Sequence, residues 1–328
     1  MAMKKKKTGY AKYGYIFSIP FVLAYLIFSL YPTFYTAVLG FTDCKGLNNT
    51  SFHILDEPFK NFITVLGNAS FQISLKNTVG IWIVNFIPQI LLALLLTAWF
   101  TNNRKKIKGQ GFFKVIFYMP NIITQATVAI LFFSLFGYPM GPINDLAQRF
   151  GFISEPYYYF ADKTVARGTV AFIQFWMWYG YTMIILISGV LGINPELYES
   201  AEIDGANGIQ KFFYITIPNL NTILIFTMIT SMIGGLNMFD IPKLLVNGTG
   251  GGPDNATLTT SVFIYNQAFA GSYMYNRAAA ASMILFVIVA ICSGIVFYLM
   301  RDKYEAKERK ENKRKEKALR KSQKEASV

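Results

Sequence analysis

Six stretches of about twenty mostly apolar residues dominate this sequence: Gly14–Phe34, Thr78–Phe100, Val115–Phe136, Gly168–Val190, Asn219–Phe239 and Ala278–Met300. A helix needs roughly 20 apolar residues to cross the hydrocarbon core of a bilayer. The chain therefore reads as an all-α integral membrane protein with about six transmembrane helices. Composition agrees: 15% of the residues are charged, where a soluble domain carries about 25%. The first stretch follows Lys4–Lys7, which resembles the n-region of a signal peptide. Its apolar run is too long for one, and no small-x-small cleavage site closes it. It reads as an uncleaved first helix.

The cysteines, Cys44 and Cys292, lie far apart, and His53 is the single histidine. Two such thiols make neither a metal-ligand cluster nor a disulfide framework. No metal site and no catalytic set is expected. The chain also lacks a Gly-Lys dipeptide, hence a G-x4-G-K-[ST] phosphate loop. Any ATP and magnesium must be used by another polypeptide, and this chain is expected to bind no cofactor.

Lysine and arginine collect at the cytoplasmic ends of membrane helices. Residues 1–13 carry five, the link "NNRKKIKGQGFFK" five, and residues 301–328 twelve. The alternate loops are leaner, with Lys45, Lys60 and Lys76, then Arg149, Lys163 and Arg167, then Lys243 and Arg277. Both termini are therefore expected in the cytoplasm, flanking a membrane domain over residues 14–300. The net charge of +13 is mostly topogenic and calls for no nucleic acid. In the tail, Glu305–Arg309, Glu311–Lys315 and Glu316–Arg320 are spaced i,i+4. That suits a solvated helix or contact with anionic lipid.

One cytoplasmic loop, residues 194–218, breaks the charge trend: Lys211 faces Glu196, Glu199, Glu202 and Asp204. Asn194 suits an N-cap, Pro195 the first helical position, and Glu196 the positive end of the dipole. Glu196, Glu199 and Glu202 form an acidic stripe opposite Leu197, Tyr198 and Ala201. Gly205 suits a left-handed helix end. A second helix, about Gly208–Ile217, is apolar through Ile209, Phe212, Phe213 and Ile215, and Pro218 opens the fifth span. Such a short helix, tied firmly to a membrane helix, can enter a partner's cleft and transmit a push.

Glu199, Ala201, Gly205, Ile215, Ile217 and Pro218 follow the EAA signature, E-A-A-x3-G-x9-I-x-L-P, with Ser200 for the middle Ala and Ile217 for Leu. In this the chain resembles the permease subunits of binding-protein-dependent ABC importers. "FWMWYGYTMIILISGVLGINPELYESAEIDGAN" and "NMFDIPKLLVNGTGGGPDNAT" are similar to the carbohydrate branch (maltose, glycerol-phosphate and multiple-sugar permeases), and to the first of its two permeases. The resemblance covers about Tyr13 to Met300. It implies a type I importer permease fold in a bacterial cell membrane. It further implies a related second permease, two ATPase subunits, an extracytoplasmic solute-binding protein and a carbohydrate substrate. Residues 194–218 would be the coupling loop, carried by Glu196, Glu199, Ala201, Glu202, Asp204, Gly205, Ile215 and Pro218.

A sugar path needs hydrogen-bonding groups and aromatic faces, and polar groups in a membrane are costly unless satisfied or lining a wet cavity. The fourth span offers Gln174, Trp176, Trp178, Tyr179 and Tyr181. The fifth offers Ser231, Gly234, Gly235, Asn237 and, near its outer end, Asp240. The resemblance maps a maltose-type pocket onto Gln174, Met177, Tyr181, Ser231, Gly235 and Met238, with Trp176 at a position where tryptophan is common. Gly235 and Met238 are not polar, which argues against maltose itself. The same residues equally suit interface anchors or helix–helix contacts. Asn85, Pro88 and Gln89 read as relieving a kink in the second span, and Pro156–Lys163 as an outer aromatic belt. The glycine-rich stretch Asn247–Asn255 is expected to take its shape from a docked partner. The competing function is an ion-coupled secondary transporter, which usually needs a buried ionisable residue or broken helices near midplane. Only Asp240 comes close.

Overall fold

The computed structural model describes residues 11–47, 52–102, 108–246, 251–271 and 273–300. The clusters Lys4–Lys7, Arg104–Lys106 and the basic tail lie outside the described residues, as does 247–250 of the glycine-rich stretch. Among the described residues the chain is helical, apart from one isolated bridge between Thr42 and Ile54.

Among the described residues five helices are long and apolar enough to span a membrane: α1 (Tyr13–Leu39), α3 (Ala69–Phe100), α7 (Lys163–Leu191), α10 (Asn221–Leu236) with its short continuation to Leu244, and α13 (Tyr275–Met300). The expected third span is broken, which corrects the single helix over Val115–Phe136. It is a pair, α4 (Gln110–Ile122) and α5 (Gln125–Leu135), bent by 87°. The break has local causes. Pro120 removes an amide from the last turn of α4. Ile123 and Thr124 are extended, and the Thr124 hydroxyl caps α5 by accepting from the Thr127 amide. Asn121 Nδ2 donates to the Met177 carbonyl at 3.2 Å, pinning the break to α7.

The remaining short helices are α2 (Lys60–Leu66), α6 (Pro142–Arg149), α8 (Glu196–Ile203), α9 (Gly208–Lys211), α11 (Asp240–Leu244) and α12 (Thr260–Phe269). Two π turns interrupt the helical path, at Leu26–Leu30 and Phe212–Thr216. Each lies just before a proline, Pro32 and Pro218. A proline ring clashes with the carbonyl four residues back, and a wider turn displaces that carbonyl.

The chain divides into two compact units. In the unit made of Met1–Phe71 and Phe263–Phe286, buried Asn61 donates to the carbonyls of Gly40 and Thr42, and its Oδ1 accepts from buried Asn276. Gly40 packs against Phe62 and the backbone of Ala280. Here α1 is essentially unburied by the chain itself, so lipid or a partner must cover it.

The unit made of Gln72–Val262 and Val287–Val328 is organised on α7, the one span mostly buried within the chain. Asp162 caps α7, accepting from the Val165 amide at 3.0 Å and the Thr164 amide at 2.7 Å. Those bonds hold its carboxyl below the ordinary aspartate value. The cap's contribution is thus present above that ordinary value and fades as pH falls through the lowered one. Along α7, Gly180 lets α4 approach so closely that a Cβ would sit 2.1 Å from the Phe117 carbonyl oxygen. Two apolar clusters flank the helix, one around Ile173 and Met177, the other around Met183 and Leu186.

The described part of the glycine-rich stretch, residues 251–255, has ties within the chain. Residues 251–258 are held by the chain's own side chains. Asn77 Nδ2 donates to the carbonyls of Asn255 and Leu258. Arg167 donates to the Ala256 carbonyl and to Asn77 Oδ1. Lys163 pairs with Asp254 at 2.5 Å. Arg167 and Lys163 are therefore structural as well as loop charges.

Gly180→Leu should separate α4 from α7, costing more than ~3 kcal/mol. The check is the melting temperature of the purified protein in detergent. Gly168→Ala is the control: a Cβ there meets open space, so stability should stay level or rise slightly.

Candidate functional site

Between α7 and α10 lies a cavity of about 360 Å³. Gln174, Trp178, Tyr181 and Thr182 of α7 line it, spaced i, i+4, i+7, i+8 on one helical face. Helix α10 contributes Thr227, Thr230, Ser231, Gly234 and Gly235. Asn237, Met238, Phe239 and Asp240 follow where the helix ends. Asn85 and Gln89 of α3 and Gln125, the first residue of α5, complete the wall.

The cavity gathers seven of the nine path residues expected from the sequence: Gln174, Tyr181, Ser231, Gly235, Asn237, Met238 and Asp240. It does not gather Trp176 or Met177. Trp176 lies on the opposite side of α7 from Gln174, whereas Met177, at i+3, sits at the edge of the same stripe but is taken up by packing. Met177 is 2% exposed in the apolar core, and Trp176 packs on Phe132 with ring centroids 6.1 Å apart. Gly235 has a packing reason as well: a Cβ there would lie 2.1 Å from the Trp82 ring. Asn237 Nδ2 is occupied by the Ile233 carbonyl at 2.7 Å, which leaves its oxygen available.

Sequence reasoning missed Gln125, Thr182, Thr227 and Thr230, and it assigned Asn85 and Gln89 to a kink. Asn85 does donate to the Ile81 carbonyl within its own helix, at 3.0 Å. Gln89 instead reaches across to Thr182 Oγ1 at 2.8 Å, joining α3 to α7. The α7 and α10 residues could have been found by extending the helical period from Gln174 and Ser231. Gln125 could not, because its position depends on the break after Ile122.

A second structural feature is the elbow of residues 194–219. Asn194 Oδ1 accepts from the Glu196 amide at 3.1 Å, and its Nδ2 donates to the Glu196 carboxylate. Helix α8 ends with Gly205 at φ +80°. The Gly205 amide bonds the Glu202 carbonyl, and the Ala206 amide bonds the Ala201 carbonyl at 2.8 Å. This double closure is a Schellman ending, and the left-handed residue favours glycine. Asn207 and Gln210 then exchange backbone and side-chain bonds at 2.8 and 2.9 Å, a capping box that starts α9. Helix α9 runs through the π turn and Ile217–Asn219 into α10.

Two contacts fold the elbow on itself. Tyr198 Oη and Thr216 Oγ1 are 2.9 Å apart, with Thr216 buried. Glu202 accepts from the Lys211 ammonium, whose side chain is 12% exposed. The expected acidic stripe is thereby divided. All four acids are exposed, but Glu202 is paired with Lys211 across the turn. Ala201 and Ile215 are half-buried, Pro218 is exposed, and Ile203 and Ile209 stand out at 87% and 71% exposure.

Against known proteins, residues 78–310 match the family of the binding-protein-dependent transport system inner membrane component. The lactose transport system permease protein LacF of Rhizobium radiobacter is 31% identical over 297 residues, 90% of this chain and 97% of the relative. The arabinooligosaccharides transport system permease protein AraP of Bacillus subtilis is 29% identical, over 84% of this chain and 85% of its own. Among solved structures, a bacterial ABC transporter that imports the acidic polysaccharide alginate shares the fold. Its TM-score is 0.72 at 22% identity, covering 88% of this chain and 94% of that one.

Thr227 Oγ1 is buried with no hydrogen-bond partner among the described residues. Thr227→Val, close in shape, should leave stability unchanged or raise it by up to ~1 kcal/mol. Gln89→Leu, which breaks the bond to Thr182, should lower it by about 1 kcal/mol. Thermal unfolding of the two variants side by side checks both signs.

Proposed function

The chain belongs to the family of binding-protein-dependent transport system inner membrane components, and from that premise we propose how it works. As a permease component it is a translocation subunit and not an enzyme. In our reading it is the first of two related permeases in an ATP-driven importer of a sugar or oligosaccharide. An extracytoplasmic binding protein delivers the solute, and two ATPase subunits use ATP and magnesium. The setting is a bacterial cell membrane, with both termini and residues 194–218 in the cytoplasm. Residues 14–300 form the permease domain between the basic segments 1–13 and 301–328.

The observation that carries the reading is a continuity. The self-stapled elbow passes through Pro218 into α10, and α10 lines the polar cavity through Thr227, Ser231 and Gly235. A displacement of the elbow therefore moves one wall of the cavity. In the proposed cycle, ATP closes the ATPase pair and draws the elbow inward, and the cavity opens outward to receive solute. Hydrolysis then resets the bundle. Glu196, Glu199 and Asp204, with exposed Ile203 and Ile209, would meet the ATPase cleft. Ala201, Gly205, Ile215 and Pro218 would give the elbow its shape. Glu202 would serve as its internal tie. Of the nine residues first assigned to the path, Trp176 and Met177 would support the cavity wall from behind, and the other seven would face solute.

Uptake into liposomes holding the permease pair, the ATPases and the binding protein is the direct test. Sugar should enter only with ATP, and entry driven by an ion gradient alone would point to a secondary transporter. Gly205→Trp should leave assembly intact while lowering sugar imported per ATP by roughly 5–150-fold, the range of a ~1–3 kcal/mol coupling energy. Unchanged stoichiometry in that variant would refute the lever. In a separate test, Ser200→Cys should react with a membrane-impermeant maleimide from the cytoplasmic side only.

A further inference from the structure

Resting on the importer reading, we propose that the cavity between α7 and α10 excludes sugars bearing a carboxylate, sulfate or phosphate. The Asp240 carboxylate enforces that exclusion.

The argument is a charge inventory. The lining offers amides and hydroxyls, and the aromatic faces of Trp178 and Tyr181, whose rings meet edge-on with centroids 5.7 Å apart. Among the lining residues Asp240 is the single carboxylate, and no lysine, arginine or histidine accompanies it. Recognition of an acidic sugar calls for the opposite arrangement, typically a guanidinium fork or an ammonium. Asp240 is exposed at the start of α11, directly after the last turn of α10. A second anionic group confined beside it meets a like charge, with no cation among the lining residues of this chain to offset it.

One feature of the wall pulls the other way. Helix α5 begins at Gln125, so the positive end of its dipole opens here, equivalent to about half a charge. The Thr124 hydroxyl already takes the Thr127 amide at that terminus, and Asp240 carries a whole negative charge. The balance stays negative. An uncharged sugar meets no such penalty. Its hydroxyls can donate to the Asp240 carboxylate in charge-assisted bonds and exchange bonds with Gln125 and Gln174. A volume of about 360 Å³ is at the small end of ligand sites, which run ~300–1,000 Å³, and suits a short glycan segment.

The test uses the complete importer in liposomes, with uptake of radiolabelled neutral di- and trisaccharides. The best substrate is then compared with its own uronate and 6-phosphate derivatives. Because the binding protein has its own selectivity, binding is also read without it, as quenching of tryptophan fluorescence in the permease–ATPase complex, with Trp178→Phe identifying the cavity signal. The charged derivatives should bind at least about 30-fold more weakly than the neutral sugar. Asp240→Asn should narrow that ratio to within roughly threefold, and Asp240→Lys should invert it. The ratio, not the absolute rate, is the readout, because Asp240 itself faces solute. Parity of neutral and charged sugars in the unaltered protein overturns the proposal while leaving the importer reading in place. So does an unchanged ratio in both variants. ATP-driven uptake of no sugar at all would overturn the importer reading and this inference with it.

Discussion

Within a bilayer a polar side chain has no water to fall back on, and leaving it unpaired costs several kcal/mol. That constraint decides how α7 sits in its unit. Its neighbours reach it through polar bonds as well as apolar contact: Gln89 from α3 to Thr182, and Asn121 from the end of α4 to the Met177 carbonyl. At the far end of α10, Asn221 donates to the Met300 carbonyl at 3.0 Å. Each bond satisfies a group that lipid could not, and each fixes a register that apolar packing alone would leave loose. Gln89 and Thr182 also line the cavity, so helix assembly and the cavity wall draw on the same limited set of polar residues.

The spans were legible from the sequence because apolar length is a strong signal, insensitive to what the helix packs against. The elbow was legible for a different reason. Asn194 acts on the backbone two residues away and Gly205 and Pro218 through their own backbones, so their effect survives without knowledge of tertiary structure. What remained hidden depended on neighbours distant in sequence. Hydropathy averages over "FYMPNIITQATVAI" and sees one span, whereas Pro120 and the cap at Thr124 act at single residues and turn the chain by 87°. Trp176 was offered by residue type and by the family resemblance, but the helical period from Gln174 leaves it out and adds Thr182. Met177 fits that period, and only the tertiary packing shows it to be buried in the core. Glu202 looked like one of four equivalent acids until Lys211 was brought against it by the turn at Gly205. The glycine-rich stretch looked malleable because the side chains that fix it, Asn77 and Arg167, lie about ninety residues or more away.

The elbow's construction bears on whether it can act as a lever. A short helix of eight residues has little stability of its own in water, so a push on it would ordinarily be absorbed by fraying. Here the ends are closed locally. The Schellman ending and the capping box leave few free amides or carbonyls at the turn, and caps of this kind contribute about 1 kcal/mol each. The Glu202–Lys211 pair, partly exposed, adds less than ~1 kcal/mol, but it spans the turn and resists opening of the angle between α8 and α9. Tyr198 on Thr216 anchors the outer helix to a buried point just before Pro218. The π turn between them gives the backbone room for the proline without a break in the helical path. Bending at the elbow therefore requires breaking several bonds together, whereas rotating α10 against its neighbours repacks side chains such as Ile223 and Leu220 beside Gly189 and breaks the bond from Asn221 to the Met300 carbonyl. In the proposed cycle a load on the elbow would be taken up by the softer of the two motions, the one that shifts the cavity wall.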